Sequence, residues 1–235
     1  MADAAAALLA LAATLAVYAA ARGLQRRLKS VWLHPVLVSI MVLIAALRVL
    51  GIDYEEYDRG GRILTFFLGP AVVALGLPLA RQMEEIGRRG RALLLSLLAG
   101  AAIGTLSATL VAALLGASGP VVRSLAPRAV TTPIAIGIAE RVGGLPALSA
   151  VVAIFTGVLG AVIGPPLLRA AGVRSRTAFG LAMGAAAHGV GTARAAEEGE
   201  VEAASSGLAI GLMGVFTAVL APLVLALLER LGWLM

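Results

Sequence analysis

The longest stretch of the chain without a charged residue is Ala92–Val122, with the sequence ALLLSLLAGAAIGTLSATLVAALLGASGPVV. A membrane-crossing helix needs about 20 mostly apolar residues, so this stretch is long enough to span a bilayer. Other charge-free runs lie on both sides of it, and the charged residues are clustered between them. We therefore interpret the chain as an integral membrane protein.

Charge-free runs predict about six full membrane spans. These runs are Ala4–Ala21, Val31–Leu47, Ile63–Ala80, Ala92–Val122, Val142–Leu168 and Ala203–Leu228. Two further segments, Ala129–Ala139 and Thr177–Ala193, are short or contain helix-breaking residues, so we expect broken or re-entrant helices there. The expected fold is an all-α polytopic membrane protein with these two unusual segments.

The composition excludes several classes of protein. Of the 235 residues, 60% are hydrophobic and 14% are charged, whereas soluble domains are about half apolar and about a quarter charged. Because cysteine is absent and histidine occurs only at His34 and His188, we expect no disulfide, no metal site and no cofactor. The net charge of +6 comes with only 4% aromatic residues and with bases clustered between apolar runs, so nucleic-acid binding is not expected.

The distribution of basic residues predicts the orientation of the chain. Basic clusters follow the first span and join the third and fourth spans, and an acidic stretch from Asp53 to Asp58 joins the second and third. Cytoplasmic loops are enriched in Lys and Arg, so we expect the N-terminus outside. The cluster Arg169, Arg174 and Arg176 is cytoplasmic only if residues 121–142 form a re-entrant hairpin, which we favour over a complete crossing.

The first broken segment contains Arg128, Thr131, Thr132 and Pro133. Thr132 followed by Pro133 is typical of a helix start, and the unpaired amides at a helix N-terminus attract anions. The Arg128 guanidinium can bind a carboxylate with two hydrogen bonds. Alternatively, Arg128 reaches a membrane interface and the threonines only cap the helix.

The second broken segment contains His188, Gly189, Gly191, Thr192 and Arg194. Two glycines within three residues disfavour a continuous helix, and Thr192 can cap the next one. Ionisable residues inside a membrane segment suggest a function because their burial is costly without a partner. Alternatively, Arg194 pairs with nearby acids at the cytoplasmic surface, at positions Glu197, Glu198, Glu200 and Glu202.

The two broken segments occupy similar positions in what we interpret as two repeats. We expect a single membrane domain with N-terminal scaffold helices over 1–62, a first repeat over 63–142 and a second over 143–235. This layout is typical of secondary transporters with inverted repeats. Glycine pairs spaced by four indicate close helix packing, or smooth surfaces for an elevator-like movement: Gly100 and Gly104, Gly160 and Gly164, Gly180 and Gly184, Gly207 and Gly211.

Both broken segments resemble motifs of the LrgB/CidB family. Residues 127–135, PRAVTTPIA, resemble the family stretch P-K-S-V-T-T-P-I-A, and residues 188–195, HGVGTARA, match H-G-I/V-G-T-A-R-A. The stretches 67–71, 78–79 and 160–165 agree as well. Arg128-Ala129 replaces the usual Lys-Ser, which keeps the charge but changes its donor geometry.

The resemblance implies two kinds of function. The family was named for holin- and antiholin-like roles in membrane permeability, murein hydrolase activity and cell lysis. Plastid members are similar to glycolate and glycerate translocators, and bacterial members have been linked to pyruvate transport with a small LrgA/CidA-like membrane partner. For this chain we expect a secondary transporter of small monocarboxylates such as pyruvate, glycolate, glycerate or lactate in the bacterial inner membrane, with a holin-like role as the alternative.

The chemistry of the broken segments assigns roles to their residues in such a transporter. We expect the substrate to be bound by Arg128, Thr131, Thr132, Pro133, His188, Gly189, Gly191, Thr192 and Arg194. Glu140 or His188 could carry a coupling proton. We expect no enzyme activity, because nothing in the sequence orients a nucleophile and base such as Ser205 or Ser206 with His188. A homodimer or higher homo-oligomer is expected by analogy.

Overall fold

The described part of the chain is helical. The computed structural model describes residues 2–28, 33, 35–67, 70, 73 and 83–234. The helices within these ranges are α1 (Ala2–Leu28), α2 (Pro35–Leu50), α3 (Tyr54–Phe66), α4 (Met83–Leu114), α5 (Gly119–Leu125), α6 (Thr132–Val142), α7 (Pro146–Ala170), α8 (Arg176–Ala196) and α9 (Glu200–Arg230). The predicted all-α class is therefore confirmed for these residues.

Four of the helical segments are long and apolar enough to cross a membrane. They are Ala5–Leu28, Gly90–Leu114, Pro146–Ala170 and Glu200–Arg230, and they correspond to four of the six predicted spans. Val38–Leu50 is apolar but shorter, and most of the predicted span 63–80 lies outside the described residues. The chain is thus a multi-pass membrane protein, but six full spans are not confirmed.

The chain divides into two compact units, Met1–Ala71 and Val72–Met235. In the first unit α1 packs against α2 and α3. The acidic stretch that was expected to be a loop is part of helix α3. Gly60 lets α3 lie close to α1, because a methyl carbon at Gly60 would lie only 2.8 Å from the Ala10 Cβ. The Tyr57 hydroxyl also lies 2.7 Å from Thr14 Oγ1. Packing on α1 therefore stabilises a helix that its charged sequence does not predict.

The second unit is organised around the long helix α9. Helices α4, α6 and α8 pack against α9, and α7 packs against α6 and α8. The core between them contains small and branched apolar side chains, among them Val122, Ala135, Ala153, Ala209 and Met213. Small residues let helix backbones approach closely, which favours helix association in lipid.

The first broken segment folds back on itself and is called here the first hairpin, residues 123–145. Its two ends meet because the Leu145 N–H donates to Ser124 Oγ at 2.7 Å. A methyl group at Gly144 would lie only 3.0 Å from the Ser124 amide nitrogen, so the two ends of the hairpin are in close contact there. Between these ends the chain runs out through residues 125–131 and returns as α6.

Helix α8 also folds back, and it is called here the second hairpin. His188 has the non-helical dihedrals φ 39° and ψ −128°, which separate a first arm, residues 176–187, from a second arm, residues 189–196. Phe179 of the first arm and Ala195 of the second belong to one apolar cluster. In a straight helix they would be about 24 Å apart, so the two arms lie side by side.

The hairpins enter the second unit from opposite ends of α9. Arg123, at the start of the first hairpin, forms a 2.8 Å ion pair with Glu229 near the C-terminal end of α9. Arg176, at the start of the second hairpin, forms a 2.7 Å ion pair with Glu202 in its first turn. Each hairpin therefore has its base at one end of α9 and extends toward the middle.

Glycines let the first arm of the second hairpin lie between α7 and α9. On α7, a methyl group at Gly160 or Gly164 would lie 2.7 Å from Ala187 Cβ or Met183 Sδ, respectively. On the arm itself, a methyl group at Gly180 would lie 2.9 Å from Ser205 Cβ of α9. At these positions the glycine pairs predicted from the sequence are close-packing contacts.

Candidate functional site

The tips of the two hairpins meet the same face of α7. The Ser149 hydroxyl of α7 donates to the Ala135 carbonyl oxygen of the first hairpin at 3.3 Å. One helical turn further along α7, His188 Nε2 of the second hairpin lies 2.8 Å from the Ala153 carbonyl oxygen. Four residues of α-helix rise about 6 Å, so α7 brings the two tips close together.

Both tips also contact the helix α9, at positions two turns apart. A methyl carbon at Gly214, in the middle of α9, would lie 2.8 Å from Ile134 Cδ1 of the first hairpin. Thr192 Oγ1 of the second hairpin lies 2.7 Å from Ser206 Oγ. These two positions on α9 are about 12 Å apart along its axis. The tips of both broken segments therefore lie close together between α7 and α9.

The tip of the first hairpin presents a helix N-terminus and an unpaired hydroxyl. Helix α6 begins at Thr132, and Thr131 is its N-cap, one residue earlier than expected. The Thr131 side chain makes no capping hydrogen bond, and within the described ranges its buried Oγ1 has no hydrogen-bond partner. The first amides of a helix have no partner within it, so those of α6 can donate to a ligand. Pro133 lies in this first turn and has no N–H to contribute.

Arg128 lies beside the middle of an apolar span. Its Nη2 donates a long hydrogen bond of 3.4 Å to the Gly104 carbonyl oxygen, within the Gly90–Leu114 segment of α4. Within the described ranges no carboxylate lies at ion-pair distance from this guanidinium. A cation at such a depth is costly unless it is compensated, so this arrangement suits an anionic ligand.

The tip of the second hairpin is held by His188, which is 4% exposed. Its Nε2 contacts the Ala153 carbonyl oxygen. Since a carbonyl oxygen only accepts hydrogen bonds, Nε2 must carry the hydrogen, and Nδ1 is the only ring nitrogen that can exchange a proton without breaking this contact. The second arm begins directly after His188, so a second helix N-terminus lies at this tip.

Thr192 binds the backbone of the tip and does not cap the following helix as expected. Its hydroxyl donates to the His188 carbonyl oxygen at 3.0 Å and also contacts Ser206. Gly191 is buried against the backbone of Met183, where a larger residue would not fit, and Gly189 is exposed with no neighbour near the position of a Cβ. The two glycines therefore differ in role: Gly191 permits close packing and Gly189 leaves the tip uncovered.

Arg194 lies at the base of the second hairpin and is paired with acids. Its Nη1 is 3.2 Å from Glu197 Oε2, and its Nη2 is 2.8 Å from Glu198 Oε1. Arg169, at the end of α7, contacts the same Glu198 carboxylate at 2.7 Å. The structure thus places Arg194 in an ion-pair network, the second of the two arrangements considered from the sequence, and no contact joins it to Arg128 in the part of the chain described.

The start of the second hairpin is fixed by a two-bond ion pair. Arg176 Nε and Nη2 lie 2.7 and 2.9 Å from the two carboxylate oxygens of Glu202. The hydrogen bond and the charge of Glu202 raise the pKa of Arg176 above its ordinary value. Arg176 and Arg194, at the two ends of α8, therefore both pair with glutamates in or just before the first turn of α9.

Glu140 is the remaining predicted site residue. It lies near the C-terminal end of α6, and its side chain is exposed on the surface of the protein. Among the residues that the structure describes, no group of three or more His, Asp or Glu side chains could hold a metal ion.

Sequence reasoning missed three residues that shape the second tip. Gly157 leaves room for the imidazole ring, since a methyl carbon there would lie 2.7 Å from His188 Nε2. Ala153 supplies the carbonyl oxygen for His188, and Ser206 contacts Thr192. Gly157 continues the row formed by Gly160 and Gly164 on α7, and that spacing could have revealed it. The roles of Ala153 and Ser206 carry no such signal.

Comparison with known proteins identifies the family. The LrgB-like family matches residues 14–227. The chain is 36% identical over 213 residues to the uncharacterized protein YwbG of Bacillus subtilis, which covers 91% of this chain and 95% of that protein. It is 35% identical over 189 residues to the antiholin-like protein LrgB of Bacillus cereus, covering 80% and 82% of the two chains.

A second Bacillus subtilis protein, the uncharacterized protein YxaC, is 35% identical over 211 residues, which is 90% of this chain and 92% of that protein. No solved structure matches the chain. The match of the family to residues 14–227 includes both hairpins and the four apolar segments that can span a membrane. This chain therefore belongs to the LrgB-like family of membrane proteins.

Proposed function

We propose that this chain is a secondary transporter of small monocarboxylates, such as pyruvate, glycolate, glycerate or lactate. The observation that carries the proposal is the meeting of two helix N-termini at the hairpin tips, one turn apart on α7 at Ser149 and Ala153. Helix N-termini carry partial positive charge and unpaired amide donors, so their convergence favours an anion. A pair of broken helices that meet near the middle of the bilayer is a common design for substrate sites in transporters.

The residues of the first tip are suited to the carboxylate group. The Arg128 guanidinium can donate two parallel hydrogen bonds to a carboxylate, and it lies beside the middle of the α4 span. Thr131 supplies a buried hydroxyl that lacks a partner. A ligand oxygen that binds Thr131 Oγ1 would satisfy it, and the first amides of α6 would complete the anion site.

The second tip would bind the rest of the substrate. Gly189 is exposed, and the amides that follow His188 begin the second arm. We propose that these amides, with Thr192 nearby, contact the hydroxyl or keto oxygen of the acid. His188 Nδ1 is the group we propose for proton coupling, because Nε2 is engaged with Ala153. A role for the exposed Glu140 stays a prediction.

Direct binding of substrate by Arg194 is a separate prediction. Arg194 is paired with Glu197 and Glu198 at the base of the hairpin. A substrate carboxylate that binds it would compete with these side chains for its N–H donors. We therefore propose Arg128 as the principal carboxylate ligand and Arg194 as a residue that a substrate meets on its way in or out.

The two hairpins also suggest how the site could face both sides. Their bases lie at opposite ends of α9, near Glu229 and Glu202. This arrangement supports an inverted repeat in which each hairpin covers the site from one side. An elevator-like movement and a homodimer are extensions of this proposal by analogy.

The test is uptake into proteoliposomes. Purified protein is reconstituted alone, and then with a small LrgA-like membrane protein, and uptake of labelled pyruvate and glycolate is followed beside release of a large entrapped dye. Saturable uptake without dye release is expected. Arg128→Ala should abolish this uptake, whereas Arg123→Ala, which removes a cation of the same hairpin at its base, should retain it. Equal uptake by the Arg128→Ala variant and the parent chain would contradict the proposed site.

A holin- or antiholin-like role is the second candidate, favoured by the similarity to the antiholin-like protein LrgB of Bacillus cereus. Such a protein changes membrane permeability and needs no site for a particular acid. In the same experiment it would release the entrapped dye, uptake would not saturate, and Arg128→Ala would have little effect. The dye therefore separates the two candidates in a single preparation.

A further inference from the structure

The buried side chain of Ser206 on α9 makes an unusual hydrogen bond. Several other helical hydroxyls, such as those of Thr14, Ser39 and Thr109, donate to the carbonyl oxygen one turn earlier in their own helix. Ser206 instead contacts Thr192 of the second hairpin, with 2.7 Å between the two oxygens. This hydroxyl is directed away from its own helix and toward another element.

The direction of the hydrogen bonds follows from the number of hydrogens. The Thr192 hydroxyl has one hydrogen, which it donates to the His188 carbonyl oxygen at 3.0 Å. In the contact with Ser206, the Thr192 oxygen must therefore accept, and the Ser206 hydroxyl must donate. The result is a chain of two hydrogen bonds that runs from α9 to the backbone of the hairpin tip.

The backbone at the tip needs such support. His188 is the one non-glycine residue with positive φ among the described residues. A side chain with a Cβ is strained in this region and persists there only when its surroundings hold it. Ser206 also packs against the first arm, because a methyl carbon at Gly184 would lie 2.8 Å from its Oγ. Ser206 thus touches both arms of the hairpin at once.

We propose that Ser206 is a positioning residue, which acts through Thr192 to hold the His188 backbone and thereby the helix N-terminus at the second tip. The inference rests on the proposed transport function, since it assigns Ser206 to the geometry of that substrate site. Ser206 does not contact the substrate itself; its effect on substrate binding passes through Thr192 and His188.

The first test measures the tip without transport. The chain has no cysteine, and Ala187, the residue before His188 in the first arm, is fully buried, so Ala187→Cys provides a reporter that a thiol reagent reaches in detergent only when the tip opens. Ser206→Ala and Thr192→Val should each raise its labelling rate about fivefold, as expected for loss of one hydrogen bond. The double variant should label no faster than either single variant, and Thr192→Ser should restore the parent rate.

Two controls are matched to these variants. Thr109→Val removes another fully buried hydroxyl, on α4, and should leave the Ala187→Cys rate unchanged. Ala196→Cys, an exposed position at the base of the hairpin, should label at the same rate with and without Ser206→Ala. An unchanged Ala187→Cys rate in Ser206→Ala, or additive effects in the double variant, would overturn the proposal.

The second test uses transport in the cysteine-free chain. Ser206→Ala should raise the half-saturating glycolate concentration about fivefold with little change in maximal rate, and Thr109→Val, which removes a buried hydroxyl of α4, should behave like the parent. An unchanged half-saturating concentration would overturn the link between Ser206 and the substrate site. If the parent shows no saturable uptake, the proposed function fails, while the labelling rates still decide whether Ser206 positions the tip.

Discussion

His188 Nε2 lies 2.8 Å from the carbonyl oxygen of Ala153, and this contact joins the tip of the second hairpin to the middle of α7. A helix carbonyl is usually shielded by the side chain one turn further along. Here that residue is Gly157, whose missing side chain leaves space for the imidazole ring. The contact therefore depends on three residues from two helices, and it leaves Nδ1 as the only ring nitrogen for proton exchange.

Gly157→Ala is expected to displace His188 from α7. The added methyl carbon would lie 2.7 Å from Nε2, so the ring must move and its hydrogen bond to Ala153 is lost. Overpacking of this kind costs about 1–3 kcal/mol, measured as a lower unfolding midpoint in detergent, and glycolate uptake should fall. Gly100→Ala has open space at its Cβ and should not lower the midpoint. Equal midpoints for the two variants would refute the packing argument.

Thr131→Val is expected to stabilise the ligand-free protein and weaken transport. Thr131 Oγ1 is buried without a partner, and replacing such a hydroxyl by a methyl group removes a desolvation cost of about 1–3 kcal/mol. Among the described residues, Thr217 of α9 has the same unpaired hydroxyl, and it lies one turn beyond Gly214 toward the base of the first hairpin. Thr217→Val should therefore raise the unfolding midpoint as well but leave the half-saturating substrate concentration unchanged. The hydroxyl is not a ligand if Thr131→Val transports like the parent chain.

Glu198→Gln is expected to weaken the base of the second hairpin. The Glu198 carboxylate contacts both Arg169 and Arg194, at 2.7 and 2.8 Å. Its loss should lower stability by about 1 kcal/mol at low salt, because these pairs are partly exposed, and by less at high salt. The matched variant Glu197→Gln breaks only the 3.2 Å pair of a more exposed carboxylate and should have almost no effect. Thermal unfolding at two salt concentrations measures both.

Ser124→Ala is expected to loosen the closure of the first hairpin. Ser124 is fully buried, and its Oγ accepts a 2.7 Å hydrogen bond from the Leu145 amide. Without it, a part-buried N–H loses its partner, which costs about 1–3 kcal/mol. Ser107→Ala removes an exposed hydroxyl that bonds only within its own helix and should have little effect on the unfolding midpoint. A Ser124→Ala midpoint as high as that of Ser107→Ala would show that closure does not need this bond.

The membrane-spanning helices could be predicted because they depend on local composition. Charge-free runs such as Ala203–Leu228 lie within apolar helices of the structure. Helix α3 was missed, since its charged residues resemble a loop and its contacts with α1 at Gly60 and Tyr57 come from residues far away in the chain. Length and hydrophobicity predict a membrane-spanning helix well, but they do not predict packing contacts between residues that are distant in the sequence.

The candidate site was predicted in part for the same reason. The glycines after His188 predicted a break in α8, and the acids after Arg194 indicated its ion pairs as one alternative, because both signals are local. That the positive φ falls on His188 and not on Gly189 could not be foreseen. This choice depends on Ala153 and Gly157, which contact His188 only in the folded chain.

The position of the second hairpin between α7 and α9 has a consequence for how the chain is made. Ribosomal synthesis proceeds from the N-terminus, so α7 with its row of glycines exists before residues 176–196 are made, whereas Glu202 and Ser206 follow them. A nascent chain that ends at the second hairpin has only one of its two supporting helices and lacks the acid for Arg176. The hairpin can therefore reach its native conformation only after the first turns of α9 have been synthesised.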